Sequence, residues 1–93
     1  MEKCVKICGR VQGVGFRFWA VRAARSVGGI SGYICNLSDG DVLVLLSGEA
    51  AQVAKMLAFL HQGPLFARVD SVCEAPELKI YFPAVENGVF KRI

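Results

Sequence analysis

The stretch GRVQGVGFR, which runs from Gly9 to Arg17, lies where the hydrophobic period of the chain changes. Upstream, residues Lys3–Val11 place apolar side chains at alternate positions, which predicts a half-buried strand. Gly13 and Gly15 interrupt that alternation. From Phe16 to Val27 the apolar residues recur at spacings of three and four, which is typical of an amphipathic helix. The stretch is therefore predicted to join a first strand to a first helix.

Beyond this helix the sequence predicts two strands joined by a hairpin. Gly28 and Gly29 end the helix, and a second strand is predicted over Ile30–Leu37. Ser38–Gly40 forms the turn to a third strand over Asp41–Leu46. Because the third strand is almost wholly apolar, we expect it at the centre of the sheet.

The C-terminal half predicts one more helix and one or two strands. The helix begins at Ser47–Glu49 and ends at Gly63, followed by a proline. A fourth strand is predicted over Ala67–Glu77, and an irregular segment over Pro76–Pro83. Gly88–Ile93 could add a short edge strand.

The order β-α-β-β-α-β indicates an α+β fold, the ferredoxin-like split β-α-β sandwich. We expect an antiparallel sheet of four or five strands with two helices on one face, because both helices then bury their apolar stripes against one sheet. Trp19 lies on the first helix's stripe and is predicted in the core. A chain of 93 residues has the size of one domain, so residues 1–93 are expected to form a single domain.

Composition limits the classes of protein that the chain can represent. Hydrophobic residues make up 54% and charged residues 20%, which excludes intrinsic disorder. No apolar run approaches the length of a membrane span, so no membrane partner is expected. The first residues do not resemble a secretory signal. We therefore expect a cytoplasmic protein, or one exported by a segment outside this sequence.

The charge balance favours a small anion over nucleic acid as a partner. Eleven Lys and Arg against eight Asp and Glu give a net charge of +3, without the dense basic stripe of nucleic-acid-binding domains. The first and third predicted strands also lack the aromatic residues on which RNA-binding sheets stack bases. Four arginines, at positions 10, 17, 22 and 25, fall in one short stretch, and a modest positive field suits a small anionic ligand.

The cysteines and the single histidine indicate neither a disulfide framework nor a metal site. Cys4 and Cys8 lie on one predicted strand, about 13 Å apart, which is too far for a disulfide. We interpret all four cysteines as free thiols, with a bond from Cys73 to Cys4 or Cys8 as the alternative. His61 has no neighbouring cluster of metal-ligating residues in the sequence.

The strand-to-helix junction is a candidate phosphate cradle. Backbone N–H groups at a helix start lack internal partners, and Gly13 and Gly15 allow successive N–H groups to converge on an anion. Arg17, in the first turn, could grip phosphate oxygens in a bidentate manner. The alternative is a tight turn with Arg17 solvated. Asn36 likewise has a structural alternative, as a capping residue beside the hairpin.

Three motifs of this chain resemble those of the acylphosphatase family. They are GRVQGVGFR at residues 9–17, GYICNLSDGDV at residues 32–42 with a glycine at 48, and GPLFARV at residues 63–69. The likeness covers nearly the whole chain, and nine consecutive positions of the first motif agree.

The resemblance implies an acylphosphatase, an enzyme that hydrolyses acyl phosphates to a carboxylate and inorganic phosphate with no metal and no cofactor. It implies that Arg17 is catalytic and that Asn36 orients the attacking water. It also implies that the phosphoryl group is held by the backbone amides of Gln12, Gly13, Val14, Gly15, Phe16 and Arg17. We expect an acyl phosphate, phosphate or sulfate as ligand, no nucleic-acid partner, and a monomer.

Two departures from the family pattern leave an alternative open. Cys35 stands where the family usually has a basic or polar residue, and the turn Gly28–Ser31 is one residue longer than usual. The alternative is a phosphate-binding module with weak or no catalytic activity. Tyr33, if it lies on the open face of the sheet, is a candidate contact for the acyl group.

Overall fold

The computed structural model describes residues 1–93 and contains five strands, two α-helices and one 3-10 helix. In chain order they are β1 (Glu2–Arg10), α1 (Phe16–Val27), β2 (Ser31–Asn36), β3 (Val42–Ser47), α2 (Ala50–Gln62), β4 (Arg68–Glu74), the 3-10 helix (Pro76–Tyr81) and β5 (Phe90–Arg92). The predicted strand-to-helix junction is confirmed, since α1 begins at Phe16. Neither α-helix has the length and apolar character needed to cross a membrane.

The strands form one sheet in the order β4-β1-β3-β2-β5, with β3 at its centre as expected. Every residue of the apolar run Val42–Leu46 is fully buried, because both faces of this strand are covered. The pairs β1–β3, β1–β4 and β2–β3 are antiparallel. The antiparallel expectation is wrong for β5, which pairs parallel to β2. β4 and β5 lie at opposite edges of the sheet, so the chain crosses the sheet between them. β5 then runs in the direction opposite to β4.

The main core lies between the sheet and the two helices. On the sheet side it contains Val5, Ile7 and Ile34, and on the helix side it contains Phe16 and Met56 among other residues. This confirms that both predicted apolar stripes face one surface of the sheet. Trp19 packs against this core in a half-buried position, with its ring edge-on to Phe16 at 5.5 Å between centroids.

The other face of the sheet is not open, because the segment after β4 lies across it. The Tyr33 ring is buried there, stacked on Phe82 with centroids 5.9 Å apart. Its hydroxyl donates a hydrogen bond of 2.6 Å to the carbonyl oxygen of Ala84. The suggestion that Tyr33 contacts an acyl group on an open face is therefore wrong.

The fourth strand is shorter than predicted and ends at Glu74 instead of Glu77. Pro76 occupies the first turn of the 3-10 helix, where its fixed φ favours helical backbone and its missing N–H costs nothing. The segment between Pro76 and Pro83, predicted as irregular, is thus mostly a short helix that covers the sheet.

All four cysteines are free thiols in the structure. Cys4 is buried within the second core, on the face that the 3-10 segment covers, and burial raises the pKa of its thiol to about 11. Cys73, by contrast, is exposed at the edge strand.

Candidate active site

A small cavity lies at the junction of β1 and α1, and both predicted catalytic residues line it. Its volume is about 120 Å³, and we call it the junction cavity. Its walls are formed by Val11, Gln12, Gly13, Gly15, Phe16, Arg17, Phe18, Asn36 and Arg92. The loop of the first motif therefore faces Asn36 at the end of β2, as the fold prediction required.

The backbone of the loop is shaped by two glycines in left-handed conformations. Gly13 has a φ of 74° and Gly15 a φ of 76°. Gly15 is also the N-cap of α1, and no side chain caps the helix there. The backbone N–H groups of residues 12–18 donate none of the hydrogen bonds in the turns, loops and helix caps. The first donor after them is the Trp19 N–H, which bonds to the Gly15 carbonyl oxygen. The loop therefore presents unpaired N–H groups at the positive end of a helix dipole.

Five of the six residues predicted to bind phosphate through their amides line the junction cavity, and Val14 does not. The half-buried Val14 side chain packs against the main core instead. This contact anchors the loop between its two left-handed glycines.

The Gln12 side chain turns away from the loop amides and braces the hairpin between β2 and β3. Its amide nitrogen donates to the carbonyl oxygens of Leu37, at 2.7 Å, and Asp41, at 2.9 Å. The same hairpin closes through a bond of 2.8 Å from the Leu37 N–H to the Asp41 carbonyl. Because Asn36 directly precedes Leu37, Gln12 ties the loop of the first motif to the segment that carries Asn36.

Arg17 lies half-buried in the first turn of α1 and takes part in none of the six ion pairs of the structure. Its positive charge is therefore uncompensated by a carboxylate. Cys35, the departure from the family pattern, belongs to the core on the far side of the sheet. Burial raises the pKa of the Cys35 thiol, and the Arg17 charge offsets only part of that rise. A neutral thiol at this position adds no negative charge near Arg17.

The two acidic residues of the hairpin share one cationic partner, Lys6 on β1. Its ammonium group lies 2.8 Å from an Asp39 oxygen and 3.3 Å from an Asp41 oxygen. The hydrogen bond from Lys6 holds the pKa of the Asp39 carboxyl below its ordinary value. Lys6 thus offsets one of the two negative charges of the hairpin, and neither aspartate lines the junction cavity.

Sequence reasoning missed Arg92, which lines the junction cavity from β5. The parallel pairing places Arg92 opposite Ile34 of β2, and the Ile93 N–H bonds to the Ile34 carbonyl at 3.0 Å. Only a predicted parallel pairing between β5 and β2 would have placed Arg92 at the cavity. A strand of three residues does not indicate such a pairing by itself.

The structure contains no group of three or more His, Cys, Asp or Glu side chains that could hold a metal ion. A larger concavity of about 410 Å³, between the C-terminal halves of α1 and α2, includes none of the predicted site residues. The junction cavity is therefore the candidate active site.

Comparison with known proteins agrees with the three motifs. A family model described as acylphosphatase matches residues 3–81. The acylphosphatase of Photobacterium profundum is 51% identical over 71 residues, which cover 74% of this chain and 78% of that protein. The acylphosphatase of Chromohalobacter salexigens is 47% identical over 79 residues, covering 82% and 87% of the two chains.

Solved structures agree in fold. The acylphosphatase of Bacillus subtilis superposes with a TM-score of 0.79 at 26% identity, covering 99% of this chain and 97% of that one. That of Coxiella burnetii gives 0.76 at 30% identity, covering 99% and 93%. The ferredoxin-like α+β fold and the expected enzyme class are thereby confirmed. The chain belongs to the acylphosphatase family.

Proposed function

We propose that this chain hydrolyses acyl phosphates by attack of water on a phosphoryl group held in the junction cavity. The observation that carries the proposal is the convergence of Arg17, Asn36 and the unpaired loop amides on one cavity. No single one of these features would indicate hydrolysis, but together they supply an anion site and a polar group beside it.

The loop amides and Arg17 would bind the phosphoryl oxygens. Phosphoryl transfer depends mainly on positioning and on neutralising charge at the equatorial oxygens. N–H groups fixed by the backbone provide this without rearranging during the reaction. The uncompensated guanidinium of Arg17 adds a two-pronged donor for the same oxygens.

Asn36 would hold the attacking water in line with the bond that breaks. Its amide cannot accept a proton to become a base, but it can orient water by hydrogen bonds, and it does not repel the phosphate. The leaving group is a carboxylate whose conjugate acid has a pKa near ~4, so it departs without protonation. The bond between phosphorus and the acyl oxygen breaks as the bond between phosphorus and water oxygen forms, and the proton of the water passes to solvent.

The reaction proposed here needs no metal ion. The charge on the phosphoryl oxygens would be met by the helix start, by Arg17 and by Arg92 at the rim of the cavity. Added chelator is therefore expected to leave the rate unchanged.

The test is the hydrolysis of benzoyl phosphate, followed by absorbance with and without chelator. The wild type is compared with Arg17→Gln and Asn36→Ala. Each variant has a matched control at an exposed residue, Arg68→Gln for the first and Asn87→Ala for the second. We expect a rate loss of roughly 10³-fold for Arg17→Gln and about 10²-fold for Asn36→Ala. The two control variants should retain the wild-type rate.

Each contradictory outcome has a distinct meaning. A folded wild type without activity would establish the alternative, a phosphate-binding module that does not catalyse. Full activity in Asn36→Ala would show that another group orients the water. Loss of activity with chelator would refute the metal-free reaction.

A further inference from the structure

A second concavity, of about 350 Å³, opens beside the junction cavity between α1 and β5. We call it the arginine groove, and its side chains include Phe18, Arg22, Arg25, Phe90, Lys91 and Arg92. Phe18 and Arg92 line both the groove and the junction cavity. A molecule whose phosphoryl group occupies the cavity would therefore extend directly into the groove.

The groove is strongly positive because most of its cations lack partners. None of the six ion pairs of the structure involves Arg22, Arg25 or Arg92, and Lys91 alone is paired, to Glu86 at 3.1 Å. Three uncompensated guanidinium groups thus line one concavity. Arginine favours planar, two-pronged contact with carboxylate and phosphate groups.

The groove also has an apolar wall, which begins at the mouth of the junction cavity. The Phe18 side chain is 58% exposed there. The Arg22 guanidinium lies 5.8 Å from the centre of this ring, within range of a cation–π interaction. Residues 18, 22 and 25 follow one another at helical spacing along one face of α1, so a single helix presents the ring and two arginines in a row.

We propose that the arginine groove selects acyl phosphates whose acyl part carries a second anionic group, a carboxylate or a phosphate. This inference rests on the proposed function and adds a substrate class to it. The phosphoryl group would bind in the junction cavity, the hydrocarbon of the acyl part would pass Phe18, and the distal anion would meet Arg22 and Arg25. A substrate with a neutral acyl group would leave those arginines solvated and gain nothing from them.

The test compares substrates matched in shape and differing in the distal charge. Benzoyl phosphate is set against 3-carboxybenzoyl and 4-carboxybenzoyl phosphate, with kcat and KM measured at low salt. The variants are Arg22→Gln and Arg25→Gln, and Lys55→Gln on the exposed face of α2 is the control for loss of one positive charge. Circular dichroism checks that each variant is folded.

We expect the wild type to prefer at least one carboxylated substrate. Each arginine variant should lower kcat/KM for that substrate by about five-fold, mainly through KM, as loss of one partly exposed charge pair predicts. Benzoyl phosphate should be hydrolysed at the wild-type kcat/KM by both variants, and Lys55→Gln should behave as wild type throughout. Raising the salt concentration to 0.5 M should reduce the preference, because exposed charges are screened.

The outcomes that overturn this inference differ from those that overturn the proposed function. Hydrolysis of all three substrates with equal kcat/KM, unchanged in the arginine variants, would refute the groove and leave the proposed function standing. An equal loss with Lys55→Gln would show a general field effect and refute a local site. An equal loss of kcat/KM for benzoyl phosphate in the two arginine variants would show that these arginines act on the phosphoryl group, and would refute a site for the distal anion. No hydrolysis of any substrate would refute the proposed function and this inference with it.

Discussion

At the scale of single residues, Gln12 both lines the junction cavity and braces the neighbouring hairpin with its side chain. The sequence motif predicts a role for its backbone amide, and the structure adds two hydrogen bonds from its side chain to Leu37 and Asp41. These bonds join the loop of the first motif to the hairpin that follows Asn36. Periodicity and composition do not reveal such a brace, because it links residues 25 and 29 positions apart.

Removing this brace should affect turnover more than binding. Gln12→Ala removes the side-chain donor shared by the Leu37 and Asp41 carbonyl oxygens, which keep only the backbone hydrogen bonds of the turn. Because the hairpin is then no longer tied to the loop, we expect kcat to fall by about ten-fold while KM stays within about two-fold. Gln62→Ala, at the exposed end of α2, is the control. Steady-state kinetics with benzoyl phosphate provide the measurement. A rise in KM with unchanged kcat would show that Gln12 serves substrate binding and not the position of Asn36.

At the scale of elements, the helices and the central strand could be predicted because their signals are local. The stripes of α1 and α2 repeat at helical spacing within each segment, and the apolar run of β3 indicates burial on both faces. The parallel pairing of β5 and the cover over Tyr33 could not be predicted in this way. Both depend on where the chain goes after β4, which a three-residue strand and a 3-10 turn do not encode locally.

The close packing of β2 against β3 gives a prediction at this scale. Gly32 has a φ of 136°, and a Cβ there would overlap the carbonyl oxygen of Leu45. Gly32→Ala should therefore lower the free energy of unfolding by about 3 kcal/mol, from backbone strain and overpacking together. In Gly88→Ala the φ of 81° is also positive but no atom lies within 4 Å, so a loss of only about 1 kcal/mol is expected.

Urea unfolding of the two variants beside the wild type measures this difference. Equal losses in Gly32→Ala and Gly88→Ala would show that the positive φ alone matters, and that the two strands can separate enough to accept a methyl group.

At the scale of the whole molecule, the segment after β4 serves both sides of the sheet. It first covers the face opposite the helices, where Tyr33 and Phe82 stack, and then returns along β2 to place Arg92 at the junction cavity. Stability on one face and charge at the site thus depend on the same stretch of chain. This explains why Tyr33, although it lies within the second motif, has a structural role.

Tyr33→Phe tests that assignment. It removes the hydroxyl that bonds to Ala84 and leaves a carbonyl oxygen unpaired, which should cost about 1 kcal/mol and lower Tm by roughly 4–8 °C. The kinetics with benzoyl phosphate should not change, because the hydroxyl points away from the cavity. Tyr81→Phe, at an exposed ring, should alter neither quantity. A raised KM in Tyr33→Phe would mean that Tyr33 does contact the acyl group.

The most direct test of the central claim is a titration of the ¹⁵N-labelled chain with inorganic phosphate, observed through its backbone amide resonances. The account predicts that the amides of residues 12–17 shift most, that the start of α2 at residues 50–52 does not respond, and that Arg17→Gln weakens the response. Shifts confined to other residues, with the loop unaffected at saturating phosphate, would contradict it.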